Sequence, residues 1–139
     1  MSTLAQADRN VLHDVADVLI PATRTMPALR DADPGGKWLD RACLARADLV
    51  PSLARALRVL AGTADLPAAV RRLHGDDRAT FDVVATFVAG TYYMIPQVRE
   101  LIGYPGQRRT PAAIDAAADE LSDDVFQGAL DYALSYRPA

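Results

Sequence analysis

The longest apolar stretch of the chain, residues 78–94, constrains the fold most strongly. As a helix from Arg78 to Met94, it carries apolar or small side chains on two faces. One face comprises Phe81, Val84, Ala85, Val88 and Tyr92, and the second comprises Val83, Phe87, Gly90 and Met94. A helix that is apolar on two faces is buried among other helices. The pattern therefore predicts a central helix, and the small residues Ala85 and Gly90 are places where a neighbour could approach closely.

The other segments predict shorter helices joined by brief breaks. We expect helices over Leu4–Leu19, Lys37–Ala47, Leu49–Ala61 and Leu66–Leu73, a short one over Val98–Ile102, and one or two between Ala112 and Tyr136. Residues 22–36 predict an irregular stretch because prolines and glycines interrupt them. No segment shows the sustained alternation typical of a strand. The sequence thus predicts an all-α fold: a single domain over residues 1–139, built as an irregular bundle of about six helices.

Capping residues and turn residues set the expected boundaries of these helices. The expected N-caps are Ser2 or Thr3, Asp48, Asp65, and Asp76 or Asp77. Gly62 and Gly103 are expected to follow helix C-termini. Residues 104–107, Tyr-Pro-Gly-Gln, predict a tight turn because glycine tolerates a positive φ at the third position.

Charge and cysteine content exclude several classes of function. The chain has 15 basic and 18 acidic residues and a net charge of −3, whereas nucleic-acid binding needs a basic surplus. Cys43 is the single cysteine, so neither an intrachain disulfide nor a cysteine metal cluster is expected. The N-terminal region has neither the basic start nor the continuous apolar run of a signal peptide. We therefore expect no direct membrane insertion and a cytoplasmic location, with export beside a signal-bearing partner as the alternative.

Each candidate catalytic or metal-binding site in the sequence lacks at least one residue that its chemistry requires. His13 and Asp17 share a helix face, but no third metal ligand accompanies them. Residues 31–36 start like a calcium loop, yet Ala42 stands where the bidentate glutamate is needed. The acidic residues around Ser122 are typical of a solvated helix face or cap. We therefore expect no catalytic residue, no metal and no cofactor in this chain.

Residues 92–107 carry more specific content than packing alone requires. Three of the five tyrosines fall within thirteen residues of this segment. Tyrosine and arginine are favoured at interface hot spots because they combine large contact area with hydrogen bonding. Tyr92 and Tyr93 point in different directions on a helix, so both cannot face the same core region. The alternative is a kinked core helix whose tyrosines fill the core. The predicted partner-binding residues are Tyr92, Tyr93, Met94, Pro96, Arg99, Tyr104, Pro105, Gly106 and Gln107.

This segment resembles a known family of small subunits. Its pattern, Tyr-Tyr-Met-x-Pro-x-Val-Arg-x-x-Ile-Gly-Tyr-Pro-Gly-Gln, is similar to the gluconate 2-dehydrogenase subunit 3 family, the small (gamma) subunits of membrane-associated sugar dehydrogenases. The Leu-Ile-Pro-Ala-Thr at residues 19–23, after an amphipathic helix, is similar to that family's N-terminal region. The resemblance covers most of the chain, but these two blocks carry its specific part.

The resemblance implies a partner for this chain. Small subunits of this family accompany a large FAD-dependent dehydrogenase of the glucose-methanol-choline type, in some cases with a cytochrome c subunit. It implies a chaperone-like, non-catalytic accessory subunit that helps the catalytic subunit of a sugar or alcohol dehydrogenase fold and stay soluble, with FAD in the partner. Many members carry a twin-arginine export signal, and this sequence differs from them because it lacks that signal.

Two other functions remain open at the level of sequence. One is a stand-alone helical enzyme or small-molecule-binding protein, with Tyr92, Tyr93, Arg99 and His13 lining a pocket. The other is a homo-oligomeric scaffold.

Overall fold

The computed structural model describes residues 4–107, 109, 115, 127, 128 and 131. Seven helices and no strand occur among these residues, which confirms the all-α prediction for the described part of the chain. The helices are α1 Gln6–Leu19, α2 Leu29–Ala32, α3 Lys37–Ala45, α4 Val50–Ala61, α5 Leu66–Asp76, α6 Arg78–Met94 and α7 Pro96–Leu101. All seven belong to one compact unit, Met1–Gly106.

Helix α6 is the central element of this unit, as its two apolar faces predict. It contacts α1, α3, α4, α5 and α7. Its buried residues are Val84, Phe87, Val88, Thr91 and Tyr92. The predicted close approach at Gly90 is wrong, because Gly90 is exposed and a Cβ placed there would meet nothing within 4 Å.

The expected caps are correct at α5 and α6 and wrong at α1 and α4. Asp65 accepts a hydrogen bond from the Ala68 N–H, and Asp77 accepts one from the Thr80 N–H. Helix α1 begins after Ala5, and α4 after Leu49, in neither case with a side-chain cap. The reason at α4 is that the Asp48 carboxylate accepts hydrogen bonds from the Arg46 guanidinium instead.

Several helix boundaries also differ from the predicted ones. The stretch expected to be irregular contains the short helix α2, and α3 ends at Ala45 instead of Ala47. Helix α5 continues to Asp76, three residues beyond its predicted end, and α7 begins at Pro96. Proline is compatible with the first turn of a helix, where its missing N–H costs no intrahelical bond.

Asp33 organises the start of α3. Its buried carboxylate accepts hydrogen bonds from the N–H groups of Trp38 (3.0 Å) and Leu39 (3.1 Å). Gly36 precedes the helix with φ of +68°, a left-handed conformation that favours glycine. Asp33 therefore satisfies two N–H groups at the helix start, which have no intrahelical partner.

The second compact unit is Gln107–Ala139. Of its described residues, Gln127, Gly128 and Asp131 are helical, and the Gln127 side-chain amide donates to the Asp131 carboxylate at 3.1 Å. The predicted helices between Ala112 and Tyr136 otherwise lie outside the described residues, so they stay a prediction, as does the single domain over 1–139.

In the described part of the chain, none of the helices combines the length and the apolar character needed to span a bilayer.

Candidate partner-binding surface

The break between α6 and α7 is fixed by two buried apolar side chains. Ile95 has an extended backbone, with φ of −68° and ψ of 122°, and its side chain is buried. Pro96 then opens α7, where Val98 is fully buried. The residue before a proline is disfavoured in the helical region, so the sequence itself ends α6 here. Packing of Ile95 and Val98 into the core thus holds α7 against the rest of the unit.

The end of α7 is closed by a pair of backbone hydrogen bonds. The Tyr104 N–H donates to the Arg99 carbonyl at 2.8 Å, and the Gly103 N–H donates to the Glu100 carbonyl at 3.0 Å. Gly103 has a φ of +70°, so these bonds form the Schellman arrangement that often ends helices. The prediction of a C-terminal glycine at Gly103 is confirmed. The arrangement fixes the backbone that carries Tyr104.

The two adjacent tyrosines at the end of α6 have different environments. Tyr92 is 1% exposed, and its hydroxyl donates to the Pro27 carbonyl at 2.8 Å. Tyr93 is 49% exposed, and its ring meets the Tyr92 ring edge-on at a centroid distance of 5.5 Å. Burial raises the pKa of the Tyr92 phenol, and the neighbouring Tyr93 raises it further.

Tyr92 is therefore a core residue of this unit. Its inclusion in the predicted partner-binding set is corrected, because its side chain is enclosed by the unit's own core and offers no surface to a partner. A helical step of about 100° separates neighbouring side chains, which explains why Tyr93 faces outward where Tyr92 faces inward.

Exposed large apolar side chains concentrate in the segment from Tyr93 to Tyr104. Among the described residues six large hydrophobic side chains are exposed, and four of them lie in this segment. These four are Tyr93 (49%), Leu101 (50%), Ile102 (49%) and Tyr104 (50%). We call them the exposed apolar cluster. The other two, Leu44 and Val59, lie on α3 and α4.

The remaining predicted binding residues lie within this segment or follow it in the sequence. Pro96, Pro105 and Gln107 are exposed, whereas Met94, Arg99 and Gly106 are partly buried. Gly106 has a φ of +81°, but no hydrogen bond joins the Gln107 N–H to the Tyr104 carbonyl, so the predicted tight turn is not confirmed. A Cβ on Gly106 would lie 3.9 Å from the Arg99 guanidinium, so the backbone at Gly106 lies close to the Arg99 side chain of α7.

The binding residues predicted from the sequence do not include Leu101 and Ile102, whose side chains are exposed in the structure. The available signal was the short length of α7, since a six-residue helix that buries Val98 has no second apolar face to bury. Two consecutive large apolar residues before a C-terminal glycine then have to be partly exposed.

His13 and Asp17 do not form a paired site. The Asp17 carboxylate accepts a hydrogen bond from Arg30 at 2.6 Å, and Arg30 also bonds Asp14 at 2.9 Å. Burial lowers the pKa of His13, and Arg30 lowers it further, while Asp17, Asp33 and Asp14 raise it. In the part of the chain that the structure describes, no three histidine, cysteine or acidic side chains group as metal ligands would. Cys43 is buried, which raises the pKa of its thiol.

Comparisons with protein-family models, with curated proteins and with solved structures find no match to this chain.

Proposed function

We propose that this chain is a non-catalytic accessory subunit that binds a larger protein through its exposed apolar cluster. The observation that carries this proposal is the concentration of Tyr93, Leu101, Ile102 and Tyr104 at the surface of one short segment. A group of exposed apolar side chains marks an interaction site more often than scattered single ones do. Two of the four are tyrosines, which are enriched among the residues that dominate binding energy.

The cluster is carried by a backbone that is held before any partner binds. Buried Ile95 and Val98 secure α7, and the hydrogen bonds at Gly103 fix the position of Tyr104. A preorganised surface loses less conformational entropy on association than a flexible one. This rigidity supports a docking role for the segment.

The identity of the partner in this proposal comes from the resemblance of residues 92–107 to the small subunits of sugar dehydrogenases. We propose a large FAD-dependent subunit of the glucose-methanol-choline type as the partner, with FAD bound there and not in this chain. A cytochrome c subunit is a further component of some such complexes. In the proposed complex, the small subunit supports the folding, solubility and stability of the catalytic subunit.

The compartment is also part of the proposal. We propose a complex in the cytoplasm, with the periplasm as the alternative when a signal-bearing partner leads export. Fractionation of the native cells, followed by detection of this chain, separates the two.

Co-expression tests the accessory role. The large dehydrogenase subunit from the same source is produced alone and together with this chain, and the soluble, flavin-loaded fraction and its activity with a dye acceptor are measured. We expect the two chains to purify together and the soluble active fraction to increase when both are present. Light scattering after gel filtration gives the stoichiometry.

Two results would contradict the proposal. A large subunit that is fully soluble and active alone would remove the need for an accessory subunit. A pure dimer of this chain that excludes the large subunit would instead support the homo-oligomeric scaffold.

A further inference from the structure

An open groove of about 510 Å³ lies where α5 packs beside the end of α1 and the start of α6. Its apolar lining residues are Val18, Leu19, Pro67, Val70 and Phe81. Arg71 and His74 are the polar residues that line it. The exposed apolar cluster contributes no residue to this groove.

The charge of the groove is opposite to that of the whole chain. The chain carries a net charge of −3, yet no carboxylate is among the described residues that line the groove. The carboxylates next in sequence to Val18 and Phe81 are already paired, because Asp17 bonds Arg30 at 2.6 Å and Asp82 bonds Arg78 at 2.8 Å. Asp76, two residues after His74, lines the cavity between α4 and α5 instead. Arg71 forms no ion pair with any carboxylate of the described residues. Among the described residues, Arg71 therefore supplies an unpaired positive charge to a groove with a mostly apolar lining.

The His74 ring is held in place at the edge of this groove. The Arg78 guanidinium donates to the His74 Nε2 at 2.9 Å, and a guanidinium has no acceptor. Nε2 therefore accepts, and the hydrogen of the neutral ring lies on Nδ1. The ring also meets Phe81 edge-on, with centroids 4.8 Å apart. His74 is thus a second polar side chain of the same lining, with its ring held by Arg78 and Phe81.

The dimensions of the groove favour a small ligand. Along α5 it extends from Pro67 to His74, a rise of roughly 10 Å or two helical turns. This length is too short to seat a three-turn helix of a partner protein. Its volume lies in the range of roughly 300–1,000 Å³ that small-molecule sites occupy.

We propose that this groove binds a small carboxylate with an unbranched apolar chain, such as a medium-chain fatty acid. Arg71 takes the carboxylate through charge-assisted hydrogen bonds, and Val18, Leu19 and Phe81 contact the chain. This site goes beyond the proposed docking function. Because the two surfaces share no lining residue, either proposal can fail without affecting the other.

Titration calorimetry of the full chain with hexanoate, octanoate and decanoate tests the site. Each added methylene should raise affinity about fourfold until the groove is filled. Octanoate should bind more tightly than octylammonium, which carries the opposite charge on the same chain.

The matched variants are Arg71→Gln and Arg72→Gln. Both residues are exposed on α5, but Arg72 lines a different cavity, which α5 forms with α4. Arg71→Gln should weaken octanoate binding about tenfold, the loss expected for a charged hydrogen bond. Arg72→Gln should leave it unchanged, and both variants should unfold at the wild-type temperature because both side chains are at the surface.

Three results would overturn the proposal. The first is the absence of saturable octanoate binding. The second is an equal loss in the Arg71→Gln and Arg72→Gln variants, which would indicate general surface attraction. The third is octylammonium binding as tight as that of octanoate.

Discussion

Tyr92 and Tyr93 follow each other in the sequence but contribute to different properties of the molecule. Tyr92 is enclosed in the core and its hydroxyl bonds the Pro27 carbonyl, whereas half of Tyr93 faces solvent. The hydrogen bond of Tyr92 links α6 to the chain just before α2. Tyr92 therefore stabilises the fold, and Tyr93 is available for binding.

Removing the Tyr92 hydroxyl tests this division. The Tyr92→Phe variant loses the bond to Pro27 and leaves the carbonyl without that donor, so its free energy of unfolding should fall by about 1 kcal/mol. The Tyr93→Phe variant removes an exposed hydroxyl and should change stability by less than about 0.5 kcal/mol. Urea unfolding of both variants measures the difference, and equal losses would contradict the assignment.

The lowered pKa of His13 predicts that stability depends on pH. Its pKa is lowered in the folded chain, first by burial and then by Arg30, from an ordinary value near 6.5. The unfolded chain therefore binds a proton at a higher pH than the folded chain, and protonation favours unfolding. The contribution of neutral His13 to the free energy of unfolding is fully present above pH 6.5. It is lost as the pH falls from 6.5 toward the lower pKa of the folded chain.

The corresponding prediction concerns the His13→Gln variant. Its free energy of unfolding should depend less on pH than that of the wild type in the window below pH 6.5. Urea unfolding at several pH values gives both slopes, and parallel slopes would show that His13 does not cause the dependence.

At the scale of elements, the sequence predicts what depends on local chemistry. The bounds of α6 follow from its apolar pattern, its cap at Asp77 and the proline after Ile95. The end of α7 follows from Gly103. The same pattern puts Tyr92 on an apolar face of α6 and Tyr93 on neither, but how completely Tyr92 is enclosed depends on how α6 packs against five other helices.

The features that the sequence prediction missed are two helix caps and one exposed pair of side chains. They depend on contacts with residues outside the helix concerned, or on a second group that competes for the same side chain. Asp33 caps α3 from five residues before Trp38, across two glycines and a proline, so no simple spacing identifies it. Asp48 is a good cap by residue type, but Arg46 engages its carboxylate. The exposed pair Leu101 and Ile102 becomes evident only when Val98 is known to take the buried face of α7.

Alanine substitutions at Gly90, inside α6, and at Gly103, just after α7, should have opposite effects on stability. Gly90 is inside α6, exposed and without neighbours, so Gly90→Ala should stabilise the chain by about 1 kcal/mol. Gly103 has a φ of +70°, so Gly103→Ala should destabilise it by roughly 1–2 kcal/mol. Thermal unfolding monitored by circular dichroism measures both. A stabilising Gly103→Ala substitution would contradict the described end of α7.

At the scale of the whole molecule, the unit Met1–Gly106 combines a packed core with one region of concentrated apolar exposure. Helix α6 contributes to both, because its central residues are buried and Tyr93 is exposed near its C-terminus. A chain that only had to fold would gain by exposing fewer large apolar side chains. For the proposed accessory role, this combination supplies a packed scaffold and a segment with exposed apolar side chains for docking.

The most direct test of the proposed docking role is the affinity of the proposed partner, the large flavoprotein subunit, for the Tyr93→Ala/Tyr104→Ala double variant, with Val59→Ala as the control. Val59 is 70% exposed on α4, outside the exposed apolar cluster. If both tyrosines dominate the binding energy as proposed, their loss should raise Kd by roughly thirtyfold or more, while the melting temperature stays within a few degrees of wild type. Val59→Ala should leave Kd unchanged. An unchanged Kd for the double variant, or a loss of affinity no greater than that of Val59→Ala, would contradict the docking role of the cluster.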